Sequence, residues 1–243
     1  RLGAEGFDIV RLVAAGGPEF HAFQIGHLRD RFFRPYEGLD AAVELQHLYR
    51  SDWVNLTSGI GGAGIKAPAT VTVAFAPPFD FQNQSIQSEE GSKSSNAYVY
   101  ANLKASKDLT FTVGVSYDKF EPDNTVTNQK REQVNPKFGV TWSPVAGTTL
   151  RAAAFRVLTR SLIAEQTVEP TQVAGFNQFY DDAGATESRR YGVAVDQKFS
   201  RTVFGGIELS RRDLSVPFRF LDFDPNTGAV IADEVRRGDV NEN

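Results

Sequence analysis

Residues 136–155 read PKFGVTWSPVAGTTLRAAAF. In the first half Phe138, Val140 and Trp142 alternate with Lys137, Gly139 and Thr141. A tight connection follows, Ser143-Pro144-Val145-Ala146-Gly147, and the second half sets Leu150, Ala152 and Ala154 against Arg151, Ala153 and Phe155. Successive side chains of a strand point to opposite faces, so this is a two-stranded ribbon with one apolar side. That side meets either a protein core or lipid.

The same alternation recurs outward from the hairpin. Leu109, Phe111, Val113, Val115 and Tyr117 share one face of LTFTVGVSY, opposite Thr110, Thr112, Gly114 and Ser116. AYVYANLK (97–104) leads into it through Ala105-Ser106-Lys107-Asp108. RYGVAVDQKF (190–199) sets Tyr191, Val193, Val195 and Phe199 against Arg190, Gly192, Ala194, Asp196 and Lys198, then turns at Ser200-Arg201 into TVFGGIELS. Nearer the start, FDIVRLVA (7–14), EFHAFQIGHL (19–28), AAVELQHLY (41–49) and WVNLTSGI (53–60) read as strands. FRFLDF and AVIADEV form a last pair around DPNTG. Short turns fall near 15–18, 50–52, 105–108, 143–148 and 200–201, and longer polar stretches separate the clearest pairs. The polar run QNQSIQSEEGSKSSN and residues 118–134 and 157–188 read as loops.

Composition narrows the class. Hydrophobic content of 41% excludes a disordered chain, and a net charge of −4 offers no basic field for nucleic acid. Cysteine is absent, which removes disulfide scaffolds, thiolate metal sites and cysteine nucleophiles. The mean hydropathy of −0.31 speaks against a helical membrane protein, but not against a membrane barrel, where only every second residue meets lipid. A chain of 243 residues that opens Arg-Leu-Gly, without methionine, reads as one β-barrel domain over residues 1–243 and a piece of a longer chain.

A soluble β-sandwich also alternates. Three features favour a barrel. Clear arms approach the ~9–11 residues of a tilted membrane strand and exceed the ~5–6 usual in soluble sheets. Short turns alternate with long loops, as periplasmic turns alternate with extracellular loops in outer-membrane barrels. Aromatics (Tyr49, Trp53, Tyr117, Phe120, Trp142, Phe199) stand near arm ends, where girdles meet the lipid interfaces, although aromatics also simply favour strands. The expected fold is an all-β, antiparallel up-and-down transmembrane barrel with about ten or more strands visible.

The phrases NAYVYANLKASKDLTFTVGVSYDKF, NPKFGVTWSPVAGTTLRAAAFR and ESRRYGVAVDQKFSRTVFGGIELS resemble the later strands of TonB-dependent-receptor-type outer-membrane barrels. LIAEQTVEPTQVAGFNQFYDD looks closer still to barrels that follow tetratricopeptide repeats in some bacterial proteins. The resemblance covers about half the chain. It implies a bacterial outer-membrane location, lipid as the surrounding partner, and a channel or receptor for a small solute, with no chemistry and no cofactor. The partners it implies are a TonB system or a periplasmic tetratricopeptide region. In the second case the barrel would be a structural or export-assembly device. Neither a TonB box nor a plug is recognisable, and the visible strands are fewer than the ~22 of a full receptor, so strands are missing or the barrel is smaller than the family's.

Candidate sites follow from the faces. Lys137, Arg151, Arg190, Asp196, Lys198 and Glu208 fall on the side away from lipid, because charge on the lipid face is costly. Four are basic, which suits an anion, but mutual pairing that stiffens the wall is the simpler reading. Phe179, Tyr180, Asp181 and Asp182 lie in the longest clean loop, as ligand contacts or as a solvated tip. Other patterns are weaker. Gly59-Ile60-Gly61-Gly62-Ala63-Gly64 fits GxGxxG, but Pro68 and a TVTV run replace the helix a nucleotide needs, so it reads as a flexible glycine loop. Asp222, Asp224 and Asn226 have the first spacings of a calcium loop, but Gly228 and Asp233 miss its later positions, and a hairpin turn is the simpler reading. His21, His27 and His47 form no metal-binding spacing, and no GxSxG elbow appears, so neither a metal nor a catalytic residue is assigned.

Overall fold

The computed structural model describes residues 6–16, 19–29, 41–73, 84–123, 130–160, 162, 167–223 and 230–242. Eleven of its strands form one meander: β1 (Gly6–Gly16), β2 (Glu19–Arg29), β3 (Ala41–Arg50), β4 (Val54–Val73), β5 (Gln84–Ser106), β6 (Leu109–Pro122), β7 (Arg131–Val145), β8 (Thr148–Leu158), β11 (Glu187–Lys198), β12 (Phe204–Phe223) and β13 (Val230–Glu242). Every strand pairs antiparallel with its neighbours in the chain, with β8 passing directly to β11. A small hairpin, β9 (Gln172–Val173) and β10 (Phe176–Asn177), lies between them. Among the described residues β1 and β13 do not pair with each other, so the sheet is an open arc of an up-and-down barrel. No helix among them is long and apolar enough to cross a membrane, which leaves crossing by strands untouched.

The turns sort onto two edges. At one edge the chain reverses within a few residues, at 51–53, 107–108, 146–147 and 199–203. At the other the connections run through 30–40, 74–83, 123–130, 159–186 and 224–229. In the opening hairpin Val145 pairs with Thr148, and Gly147 takes a φ of +86°, which a tight two-residue reversal needs and a side chain would strain. In outer-membrane barrels the short-turn edge is the periplasmic one and the long-loop edge the extracellular one.

The burial pattern is inverted relative to a soluble protein. On β6, Val113 is 41% exposed while its neighbour Thr112 is 7% exposed. Val43, Leu45, Ile60, Phe138, Val193, Val195, Ile207 and Leu209 are likewise exposed, whereas Glu44, Gln46, Asn96, Ser116, Asp118, Asn135 and Lys137 are buried. In water each such apolar side chain would forgo about 1.5–3 kcal/mol of burial, and a continuous apolar band exceeds what soluble monomers expose. Lipid removes that cost, and the charged set turns into the lumen. Trp53, Trp142, Phe199 and Phe204 stand exposed toward the periplasmic edge, with Tyr117 and Tyr191 nearer the extracellular one.

Four sequence expectations change. The GxGxxG run lies inside β4, register-paired with β3 and β5, and is strand rather than loop. Residues from Gln84 onward in QNQSIQSEEGSKSSN are strand too, because β4 runs on to Val73 and supplies partners as far as Gln84. Much of 118–134 is wall, since β6 continues to Pro122 and β7 starts at Arg131. Phe120 belongs to no girdle: it is three residues beyond Tyr117, has the opposite parity, and packs inward on Leu158 and Ala185. The connection at 224–229, which holds most of the calcium-like pattern, lies outside the described residues.

The inside-out pattern predicts opposite fates for adjacent substitutions. Val113→Arg places a guanidinium in the lipid band and is expected to cost about 2–4 kcal/mol. Thr112→Arg projects into the polar lumen and should insert nearly as well as wild type. The folded fraction in bilayers, read from the heat-modifiable gel shift, checks both.

Candidate functional site in the barrel lumen

Residues 167–186 of the connection between β8 and β11 lie on the concave side of the sheet. The β9–β10 hairpin turns through Ala174 and Gly175, both with positive φ. It buries Val173 and Phe176 completely. They join Tyr98, Tyr100, Ala153, Phe155, Val157 and Ala194 in a small apolar core inside the barrel. Two strand glycines make the seat. A Cβ at Gly139 would stand 2.7 Å from that of Ala174, and one at Gly192 would overlap the Phe176 ring. The guanidinium groups of Arg151 and Arg190 lie 5.1 and 5.8 Å from the Phe176 ring centre, within cation–π range.

Arg160 anchors the start of this strap. Its guanidinium is 3.0 Å from Asp118 and 2.9 Å from Glu169, with Glu44 at 3.5 Å. Burial disfavours this cation, but Glu169 and Asp118 outweigh that, and the guanidinium is held above its ordinary range. Glu169 accepts hydrogen bonds from Tyr100 at 2.7 Å and Asn96 at 3.1 Å. Glu44 accepts from the Thr167 hydroxyl at 2.7 Å and the Val168 amide at 2.6 Å, while Gln46 donates to the Val168 carbonyl. Asp118 also accepts from Ser116 and Asn135, at 2.8 and 2.6 Å. At the far end of the network the Lys137 ammonium donates to the Arg156 carbonyl at 2.7 Å and to Gln178. Gln178 in turn donates to Tyr100 at 3.1 Å and to the Pro170 carbonyl at 2.6 Å.

The sequence-predicted residues divide between this network and the wall. Lys137 is part of the network and fully buried. Arg151 pairs with Asp196 at 2.6 Å and faces Glu208 at 3.8 Å, and Arg190 pairs with Glu208 at 2.9 Å. Both arginines also hold the strap, through the carbonyls of Ala174 and Asn177. Lys198 is exposed at the periplasmic edge, 5.6 Å from the Phe204 ring centre. In the loop, Phe179 lies 5.0 Å from Arg190 and 4.7 Å from Arg212, and Tyr180 lies 5.2 Å from Arg160. Asp182 forms an ion pair with Arg212. Its carboxyl is pushed up by burial, an effect Arg212 opposes, and burial likewise pushes the Tyr180 phenol up. Asp181 is exposed.

Glu44, Tyr100, Asp118, Arg160, Glu169 and Gln178 were absent from the sequence-derived set. Strand parity pointed to Glu44, which alternates with Val43 and Leu45. Nothing in the pattern placed Arg160 or Glu169 inside.

With this geometry in view, the chain belongs to the TonB dependent receptor-like beta-barrel family, whose profile matches residues 11–218. Its fold is similar to that of OmpT, an outer membrane protein of Vibrio cholerae, with a TM-score of 0.55 at 13% identity over 96% of this chain and 60% of that one. It is also similar to the FrpB iron transporter of Neisseria meningitidis, with a TM-score of 0.51 at 15% identity over 89% of this chain and 36% of that one. The chain therefore spans about 60% and 36% of the lengths of these two neighbours. No curated protein matches it by sequence. The protein is thus an outer-membrane β-barrel of the TonB dependent receptor-like family.

Removing the strap's anchor is expected to be costly. Arg160→Ala leaves buried carboxylates without their cation, a change typically worth about 3–5 kcal/mol. Limited proteolysis of the folded protein should then cleave within 167–186 faster than in the wild type. Gly192→Leu should expose the same segment by unseating Phe176 while the apolar outer face stays intact.

Proposed function

We propose that the protein is a gated receptor that binds a small solute in its lumen and passes it across the outer membrane, with residues 159–186 closing the path. The observation that carries this reading is the seating of Val173 and Phe176, fully buried on the concave side where an open pore would hold water. A receptor family points to binding and movement rather than chemistry. Energy from a TonB system is the coupling that family membership suggests. The wall charges Arg151, Arg190, Asp196 and Glu208 are paired within the lumen and give it no strong preference of sign.

The rival reading, a permanently open channel, differs in conductance. The full-length protein in planar bilayers should show little steady current, and deletion of 167–178 should produce large, stable openings. A large steady current in the wild type, unchanged by the deletion, would rule out the gate.

A further inference from the structure

We propose that the extracellular rim carries an oxyanion site, where Arg131, Arg156 and Arg237 converge on Glu187 and await a phosphate group. Glu187 begins β11, next to the long connection. Its Oε2 is 2.9 Å from the Arg156 guanidinium, and its Oε1 is 3.6 Å from that of Arg237 and 3.8 Å from that of Arg131. One carboxylate thus stands against three guanidinium groups. The surroundings do not restore the balance. Arg189, exposed, is the direct register partner of Arg156, and like charges facing each other across a ladder are destabilising. Asp239 offsets one charge from two residues beyond Arg237, and Arg211 with Asp213, 2.8 Å apart, cancel each other. The cluster keeps an excess of two positive charges, from Arg131, Arg156, Arg189 and Arg237 against Glu187 and Asp239.

Two donors in the cluster also lack a hydrogen-bond acceptor. Arg131 Nε and Arg237 Nη1 are buried and have no hydrogen-bond partner, although the rest of the Arg237 fork is occupied by Ser215 and the Ala185 carbonyl. A buried donor without a hydrogen-bonding acceptor is costly, and Arg131 Nε reaches Glu187 only at ion-pair distance, so these two atoms beside surplus charge mark a place an acceptor fills. Phosphate suits it better than a carboxylate. It carries up to two charges and several oxygens, and arginine forks bind it bidentately. Glu187 stands four residues beyond Tyr191 along β11, above the apolar band. Both a lipid headgroup and a soluble phosphate reach that height.

The test separates the two sources. Inorganic phosphate is titrated calorimetrically into the full-length protein in detergent. In parallel, retention is measured on vesicles of lipopolysaccharide and of the same lipopolysaccharide stripped of phosphate. Binding in the first arm assigns a soluble phosphate, and phosphate-dependent retention in the second alone assigns the headgroup. In either case Arg131→Gln with Arg237→Gln should weaken binding by about tenfold or more. Glu187→Gln should tighten it, because the site loses its competing carboxylate, whereas a purely structural cluster would gain no affinity. Absence of phosphate-dependent binding in both arms, or weaker binding in Glu187→Gln protein that still shows native gel migration, overturns the site.

Discussion

Lipid offers no hydrogen bonds, so each strand that crosses it must give its backbone groups to neighbouring strands and its outer side chains to hydrocarbon. Everything else in this structure follows from that constraint. It makes neighbouring strands pair in chain order from β1 to β13. It also forces polarity to change sign at every residue, so that Val113 meets lipid and Thr112 meets the lumen. A polar lumen of this kind cannot be filled by apolar packing alone. It needs either water or a polar segment of the chain.

Here a segment of the chain fills it. The strap from 159 to 186 reaches β3 through Glu44, β5 through Tyr100, β6 through Asp118 and β7 through Lys137. It also touches β8, β11 and β12 through Arg151, Arg190 and Arg212. The wall and the strap are therefore complementary in charge and in shape: carboxylates of β3 and β6 receive Arg160, while Gly139 and Gly192 receive the hairpin.

Much of the wall was legible in the sequence because its signal is local. Alternation in 109–117, 136–155 and 190–210 fixes which side chains share a face, and that alone put Lys137, Arg151, Arg190, Asp196 and Glu208 on the side away from lipid. Pro68 and the glycines of 59–64 obscured the middle of β4, whose continuity from Val54 to Val73 rests on its pairing with β3 and β5 rather than on its own pattern. The strap was illegible for a different reason. A stretch such as TVEPTQVAGFNQFYDD has no period, and its place is set by partners far along the chain, as Glu44 is from Val168. Its local hints were apolar residues such as Val173 and Phe176, set in a polar stretch with nothing adjacent in sequence to bury them.

The balance of forces on the strap suits a part that holds yet releases. Mutating one member of the Arg160 cluster strands the others in a dry site, but withdrawing the strap as a whole opens that site to water. Arg160 and Glu169 leave together, and Glu44 and Asp118 are hydrated as they go. Hydration then replaces much of what the ion pairs supplied, because the desolvation penalty of the buried charges is recovered at the same moment. The term that hydration does not replace is apolar: Val173 and Phe176 leaving their seat, at about 1.5–3 kcal/mol each. A polar anchor thus fixes where the strap sits, and a small apolar seat sets much of the work needed to lift it. In the proposed gated receptor, a solute that binds the vacated lumen would supply that work through its preference for the open state.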